Sequence, residues 1–179
     1  SRSGAIFNME KLEWMNGHYI RQLTAHQLAE ALLDYWRRYP PVEIPGSPDV
    51  GYLVRIVPLI RERLKTLADA APLIPFFFAA RAQYETGELV QKRMDAAGTK
   101  SALDRAYTSL EELPVFDGDS IEGALRPLAD ELGIKTGQLL GSLRVATTGL
   151  KVSPPLFEAM EVLGRERILA AIRDAVERL

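Results

Sequence analysis

Cysteine is absent from the 179-residue sequence, and histidine occurs only at His18 and His26. The missing cysteines exclude disulfides, a thiol nucleophile and thiolate metal ligands. Two histidines alone give little basis for a zinc site. No apolar run approaches the roughly 20 residues that a membrane span needs, and no signal peptide is visible. The sequence therefore predicts a protein without disulfides, bound metal or membrane contact, in keeping with a reducing cytosol.

An excess of one charge is also missing, since 22 Lys and Arg stand against 24 Asp and Glu, for a formal net charge of -2. Any surface that binds nucleic acid must then be a local patch. There is no Gly-rich phosphate loop and no G-x-S-x-G elbow. Four acids cluster in a turn-rich region, where capping and solvation explain them: Glu111, Glu112, Asp117 and Asp119. By its own residues the chain is not predicted to be an enzyme.

Helical periodicity is present almost throughout, and no strand pattern stands out. With 47% hydrophobic residues, the chain can bury a real core. The pattern predicts helices at 7–21, 24–39, 50–67, 82–97, 101–113, 119–132 and 165–179. Two more helices are predicted within residues 141–164. Short connections join them, so an all-α fold is expected.

The stretch from Gly141 to Gly164 is the most informative, because it reads as two short helices joined by a tight bend. Its first core stripe consists of Leu139, Leu143, Ala146 and Leu150. Gly149 is expected to end the first helix in the left-handed conformation. Ser153 and Pro154 form a strong helix start, with the serine as cap and the proline at the first helical position. Arg144 lies at roughly 100° from the middle of the stripe, on its rim.

The predicted helix 50–67 is the most basic of the predicted helices, judged by its net charge. Arg55, Arg61, Arg63 and Lys65 stand against the single acid Glu62. Pro58 is expected to kink or break the helix, because it has no N–H to donate. Arg63 lies about 70° from the centre of the core stripe and can present its guanidinium sideways. An ordinary solvated charge is the alternative interpretation.

The predicted first helix has a basic-aromatic face made of Lys11, Trp14, His18 and Arg21. This face could contact an RNA backbone or stack on a neighbouring domain. Alternatively, Trp14 packs into an interdomain core. Further on, the aromatic run 76–78 could stack bases, although filling of the core is the favoured interpretation.

Taken in order, these motifs resemble the bacterial-type glutamyl-tRNA synthetases, in their C-terminal anticodon-binding region. The matching stretches are SGAIFNMEKLEWMNGHYIR, PLIRERLKTL, GSLRVATTGLKVSPPLFEAMEVLG and VLGRERILAAIRDAVERL. The resemblance implies a two-lobed helical bundle, the α-helix cage of that family. Residues 1–24 would end the domain that contacts the tRNA stem, while 25–80 and 81–179 would form the two anticodon-binding subdomains. The HIGH and KMSKS-like motifs are missing, so the resemblance implies a fragment without the catalytic half and inactive alone.

The resemblance also implies roles for individual residues. Arg63 matches the arginine that reads the third anticodon base, a cytosine, in discriminating enzymes, which charge only the glutamate tRNA. Arg144 matches a second arginine that contacts the anticodon. Ser153, Pro154 and Leu156 match the bend beside the bases. Pro155 departs from a glycine found in some relatives, which puts a backbone N–H contact there in doubt. The Lys11–Arg21 face would belong to the end of the region that touches the tRNA stem.

Cofactors and partners follow from the same resemblance. The parent enzyme would use ATP and Mg²⁺ to join glutamate to its tRNA, whereas this fragment would hold neither. Its expected partners are the anticodon loop of the glutamate tRNA and its own missing N-terminal catalytic domain. A cytoplasmic monomer is expected. The alternative function is a non-catalytic helical module that docks a partner protein through the Trp14 face.

Overall fold

The computed structural model describes residues 8–179, and every regular element in that range is helical, which confirms the all-α expectation. The α-helices are α1 (Met9–Gln22), α2 (Ala25–Arg38), α3 (Val50–Ile60), α4 (Pro75–Phe78), α5 (Ala96–Glu111), α6 (Gly118–Glu131), α7 (Thr136–Thr148), α8 (Leu156–Leu163) and α9 (Arg165–Arg178). Short 3₁₀ turns occupy Arg61–Arg63, Leu67–Asp69, Ala71–Leu73 and Thr86–Leu89. The predicted start of the first helix, at Phe7, lies outside the described residues.

The chain divides into two compact units. The first ends at Pro75, and the second comprises Phe76–Leu179. The division into 1–24, 25–80 and 81–179 concerns functional subdomains and stays a prediction. The compact units differ from the predicted ranges partly because α1 contacts the 3₁₀ turn after α3 and so belongs to the first unit.

In the first unit, α2 packs along α3. Thr24 and Gln27, three residues apart, form a capping box at the start of α2: Gln27 N donates to Thr24 Oγ1 at 3.2 Å and Thr24 N donates to Gln27 Oε1 at 2.9 Å. The core of the unit consists of fully or almost fully buried side chains: Leu28, Leu32, Trp36, Ile44, Leu53, Ile56, Val57, Ile60 and Leu64. Both capping and burial thus fix the α2–α3 pair.

Helix α3 is shorter than predicted, because it ends at Ile60 and a 3₁₀ turn, Arg61–Arg63, follows. Pro58 lies in its last turn and removes one backbone hydrogen bond there. Beyond the turn, the carboxylate of Asp69 accepts the backbone N–H groups of Lys65, at 2.9 Å, and of the next residue, at 2.7 Å. These N–H groups find side-chain acceptors outside an α-helix, so the predicted helix 50–67 is wrong after Ile60.

The second unit is built around α5, α6, α7 and α9, with α8 packed on α6. The buried side chains that α9 contributes are Ile168, Ile172 and Ala175. Helical spacing would also turn Leu169 and Val176 inward, but both are only half-buried. The buried face of α9 is therefore centred on Ile168, Ile172 and Ala175.

The predicted helix 82–97 is wrong. In its place the chain has one 3₁₀ turn, Thr86–Leu89, and irregular backbone up to Asp95, which caps α5. We call Gln83–Lys92 the 83–92 segment; it lies along α7. The Ser142 hydroxyl donates to the Leu89 carbonyl at 2.7 Å, inside the core. Contacts with α7 thus satisfy backbone groups that a helix would have satisfied internally.

Helix α6 is capped two residues earlier than the spacing of Asp119 and Glu122 in the sequence would suggest. Asp117, and not Asp119, is the N-cap, and its Oδ1 accepts Ser120 N at 2.8 Å. The hydrogen bond from the Ser120 side chain is the main cause that lowers the pKa of the Asp117 carboxyl group, and the backbone N–H of Ser120 lowers it further. Pro127 lies on the exposed side of α6.

Candidate nucleic-acid interface

The bend between α7 and α8 begins at a left-handed glycine. Gly149 has φ 73° and ψ 6°, and its N–H donates to the Val145 carbonyl at 2.8 Å, which confirms the predicted C-cap. A Cβ at this position would stand 2.5 Å from the Gln83 carbonyl oxygen. Both the backbone conformation and the close approach of the 83–92 segment therefore require glycine.

The second helix of the bend starts later than predicted. Helix α8 begins at Leu156 and its N-cap residue is Pro155, so Ser153 lies two residues before the cap position. The reason is the pair of prolines, because Pro155 disfavours helical backbone for Pro154. The Ser153 hydroxyl instead donates to the Pro154 carbonyl at 2.8 Å. The prediction that Ser153 caps the second helix is wrong, and the Ser153 hydroxyl makes a different contact.

That contact is with Arg144. Its guanidinium Nη1 donates to the Ser153 hydroxyl oxygen and, at 3.2 Å, to the Pro154 carbonyl. Arg144 is half-buried, whereas Ser153 and Leu156 are each only 4% exposed. The structure thus brings the predicted residues Arg144, Ser153 and Pro154 into direct contact, and places Leu156 in the core just after them.

The tip of the bend is exposed. Val152 is 78% exposed, and Lys151 Nζ lies 3.0 Å from Glu88 Oε1 in the 83–92 segment. The hydrogen bond from Lys151 is the main cause that lowers the pKa of the Glu88 carboxyl group. The bend therefore contacts the 83–92 segment at two points, at its start through Gly149 and near its tip through Lys151.

Arg63 belongs to the first unit and lies in the 3₁₀ turn after α3, with an exposed side chain. Two neighbouring cations contact α1 and the corner after it. Arg61 Nη1 donates to the Leu23 carbonyl at 3.1 Å, and Lys65 Nζ lies 3.2 Å from Glu13 Oε2. Contacts of Arg61 and Lys65 thus hold the 3₁₀ turn in place. Because Arg63 lies in this turn and not in an α-helix, its predicted angle to the core stripe of the helix no longer applies.

The basic-aromatic face of α1 is largely open to solvent in the described residues. Trp14 is 66% exposed and stacks on His18, with ring centroids 5.9 Å apart and planes at 15°. Lys11 is exposed and Arg21 half-buried. Leu12, Met15 and Tyr19, on the other side, are exposed as well, and Gly17 and Ile20 are the buried residues of α1. Contact of this face with RNA or with another domain stays a prediction.

The aromatic run after the first unit fills the core of the second. Phe76 and Phe77 are 3% and 2% exposed, and their ring centroids lie 4.3 Å apart. The guanidinium of Arg167 donates to the carbonyls of Phe76, Phe77 and Ala79. This confirms the interpretation as core and leaves little aromatic surface for bases.

Two contacts of α7 have no clear signal in the sequence. Gly141 and Ser142 are small, which signals close approach of another segment, but nothing in the sequence identified the 83–92 segment as that partner. The contact of Arg144 with Ser153 spans nine residues across the bend and has no periodic signature.

Within residues 8–179, no group of three or more His, Cys, Asp or Glu side chains is arranged to hold a metal ion. Nor could any of the helices in that range serve as a transmembrane span. The chemistry that this site offers is hydrogen bonding and positive charge.

Comparison with known proteins identifies relatives along the whole chain. The model of the family described as "Anticodon binding domain" matches residues 27–176. A glutamate–tRNA ligase of Dehalococcoides mccartyi is 45% identical over 179 residues, which are 100% of this chain and 37% of the relative. One from Roseiflexus castenholzii is 44% identical over 175 residues, 97% of this chain and 34% of the relative.

Solved structures agree on the fold. A crystal structure of a glutamate tRNA ligase from Elizabethkingia meningosepticum superposes with a TM-score of 0.78 and 22% identity, over 98% of this chain and 34% of that one. The chain spans about a third of the length of the curated relatives it matches.

Proposed function

Because the chain belongs to the anticodon-binding domain family and is homologous to the C-terminal part of glutamate–tRNA ligase, we propose that it recognises the anticodon loop of the glutamate tRNA. One observation carries the proposal: the Arg144 guanidinium is held at the α7–α8 bend by the Ser153 hydroxyl and the Pro154 carbonyl. The bend thereby presents an oriented cation beside an exposed loop tip.

Orientation before binding is what a base-reading arginine needs. A guanidinium carries its N–H donors in a fixed plane, which suits it to the planar edge of a base. Holding Nη1 against the bend reduces the number of side-chain conformations that RNA binding has to restrict. Ser153, at 4% exposure, acts mainly through Arg144, and Leu156 supports the start of α8. Unstacked loop bases then meet a donor plane already in position.

Arg63 is proposed to read the third anticodon base, a cytosine, through the O2 and N3 acceptors of that base. Its exposure at a turn that neighbouring contacts hold in place supports this role. A guanidinium there would favour the glutamate anticodon over the glutamine anticodon, which makes the parent a discriminating enzyme.

The reaction of the parent enzyme is also a proposal. It would attach glutamate to its tRNA with ATP and Mg²⁺, and these would bind to the part of the enzyme that carries the catalytic domain. The residues described here supply no metal-binding group of three or more His, Cys, Asp or Glu. We propose that the chain works in the cytoplasm as a monomer attached to that domain.

The test is the affinity of the chain for a hairpin with the glutamate-tRNA anticodon loop, measured by fluorescence anisotropy at one salt concentration. Arg144→Ala should weaken binding about 5- to 150-fold, by analogy with the roughly 1–3 kcal/mol of a good base contact in DNA readout. Arg105→Ala is the matched control, because Arg105 is also an arginine of the second unit but is paired with Glu131 at 3.3 Å. Equal affinity of the Arg144 variant and the control would refute the role of Arg144.

The open face of α1 supports a second binding function, contact with another protein domain. Trp14, at 66% exposure, and its stacked neighbour His18 offer an aromatic surface that proteins commonly bury on association. The parent's catalytic part is the proposed partner. Trp14→Ala should leave hairpin affinity unchanged and weaken co-purification with a separately expressed catalytic part; normal co-purification would contradict the proposal.

A further inference from the structure

One face of α1 packs against the turn that carries Arg63. We call residues 61–65, which comprise the 3₁₀ turn after α3 and the two residues that follow it, the 61–65 turn. The face of α1 that contacts this turn consists of Glu13, Asn16 and Gly17. These three residues are spaced three and four positions apart, so they lie on one side of the helix. A single stripe of α1 therefore makes the contact.

Polar contacts fasten the turn to α1 on both sides of its middle residue. On one side, Arg61 Nη1 donates to the Leu23 carbonyl, just after α1, at 3.1 Å. On the other side, Asn16 Nδ2 donates to the Lys65 carbonyl, and Lys65 Nζ lies 3.2 Å from Glu13 Oε2. The ion pair is largely exposed and contributes little on its own. The hydrogen bonds to backbone carbonyls therefore carry most of the attachment.

Gly17 lets the backbone of α1 approach the backbone of the turn. A Cβ at this position would lie 3.2 Å from the Leu64 carbonyl oxygen and 3.5 Å from Lys65 Cα. The Leu64 side chain is fully buried in the core of the first unit, so the turn lies between that core and α1. Even the small side chain of alanine at position 17 requires its neighbours to shift by a few tenths of an ångström, and a larger side chain requires more.

We propose that α1 positions Arg63 for its contact with the third anticodon base, with Asn16 and Gly17 as the positioning residues; this inference rests on the proposed function. Arg63 lies in the middle of the 61–65 turn, and the residues two positions before and two positions after it are both held at α1 or its end. A hydrogen bond to a base edge depends steeply on distance and angle. The backbone position of Arg63 therefore sets where its guanidinium can reach. A displaced turn should lose its preference for cytosine while other contacts still bind the RNA.

The experiment measures the affinity of the chain for two hairpins that differ only in the third anticodon base, cytosine or guanine. Gly17→Leu forces α1 away from the turn, and Asn16→Ala removes the hydrogen bond to the carbonyl of the turn. Gly51→Leu is the matched control, because it adds the same side chain to another helical glycine of the first unit. A Cβ at Gly51 meets an Asp49 carboxylate oxygen, at 3.1 Å, and not α1. Far-UV circular dichroism establishes that each form is folded.

A double-mutant cycle with Arg63→Gln separates positioning from general stability. Arg63→Gln alone should reduce the preference for the cytosine hairpin about 5- to 150-fold, the range for one good base contact. Gly17→Leu should bring the preference down toward that of Arg63→Gln, Asn16→Ala should do so to a smaller extent, and the control should keep the original preference. Gly17→Leu combined with Arg63→Gln should lower the preference no further than Arg63→Gln alone, because both act through the same contact.

The outcomes distinguish this inference from the proposed function. An equal fall in affinity for both hairpins, with the cytosine preference kept, would mean that α1 only stabilises the unit; the positioning role is then overturned and the proposed function stands. If the original chain does not distinguish the hairpins and Arg63→Gln changes nothing, the reading role of Arg63 fails, and the positioning role fails with it. Should Gly17→Leu not fold, Gly17→Ala and Asn16→Ala decide the matter, since an original preference kept by both would overturn the positioning role.

Discussion

Replacement of Gly149 by alanine should destabilise the second unit by about 2–5 kcal/mol. Two physical terms add up here. An alanine at φ 73° costs about 1–2 kcal/mol, because its Cβ crowds the following carbonyl in the left-handed region. Its Cβ would also stand 2.5 Å from the Gln83 carbonyl oxygen and 3.1 Å from Gln83 N, so backbone must move. Overpacking of this kind adds about 1–3 kcal/mol.

Gly133→Ala separates the two terms. Gly133 has φ 65°, almost the same conformation, yet a Cβ there meets nothing within 4 Å. It also lies in the second unit, so both variants report on the same unfolding transition. We expect Gly133→Ala to cost only the conformational part, about 1–2 kcal/mol.

The assay is urea denaturation followed by far-UV circular dichroism, with the two variants and the original chain at one temperature. A shift in midpoint at constant m-value converts into a change in unfolding free energy. The Gly149 variant should lose about 1–3 kcal/mol more than the Gly133 variant. Equal losses would refute the reasoning, because they would mean that the 83–92 segment does not press on the bend.

Three further predictions concern the cap of α6, the bend and Arg63. Asp117→Ala should cost about 1 kcal/mol in the same urea assay, while Asp119→Ala changes little, because Asp117 is the N-cap of α6 and accepts the backbone N–H of Ser120, whereas Asp119 lies inside the first turn. In an NMR titration Glu88 should protonate below the ordinary glutamate pKa, and Lys151→Met should return that pKa toward its ordinary value. Since the pKa of Glu88 is depressed in the folded state, the stability that the Glu88–Lys151 pair contributes is present above the ordinary glutamate pKa and is lost as the pH falls through the folded-state pKa. An unchanged Glu88 titration curve in the Lys151→Met variant would exclude this contact in solution. Arg63→Gln in the complete ligase should reduce its preference for glutamate tRNA over glutamine tRNA in aminoacylation kinetics, and unchanged selectivity would rule out the reading role.

Part of the fold could be predicted from residues that lie close to one another in the sequence. The Thr24–Gln27 capping box and the Gly149 cap are local, since donor and acceptor lie within one turn, and both are present in the structure. The core stripe of α3 was predictable for the same reason, up to Ile60. Helical periodicity and capping chemistry act over three or four residues, and the sequence displays them directly.

Contacts between distant segments were not predictable in this way. The segment before α5 has a residue pattern compatible with a helix, yet its Leu89 carbonyl bonds to Ser142, 53 residues away. A tertiary partner of this kind overrides local preference. At the candidate site, the resemblance grouped Arg144 with Ser153 and Pro154, but only the fold shows that the serine holds the arginine.

The 83–92 segment also limits how the length of this region can change. Gln83 lies against Gly149, the Leu89 carbonyl bonds to Ser142, and the Lys92 carbonyl bonds to Gln138, so three points along one helix set the spacing of a stretch with little regular structure. Surface loops usually tolerate inserted residues. Here one added or deleted residue between Gln83 and Leu89 would put carbonyls out of step with their donors, and functional variants of this region should therefore keep its residue count while its side chains vary.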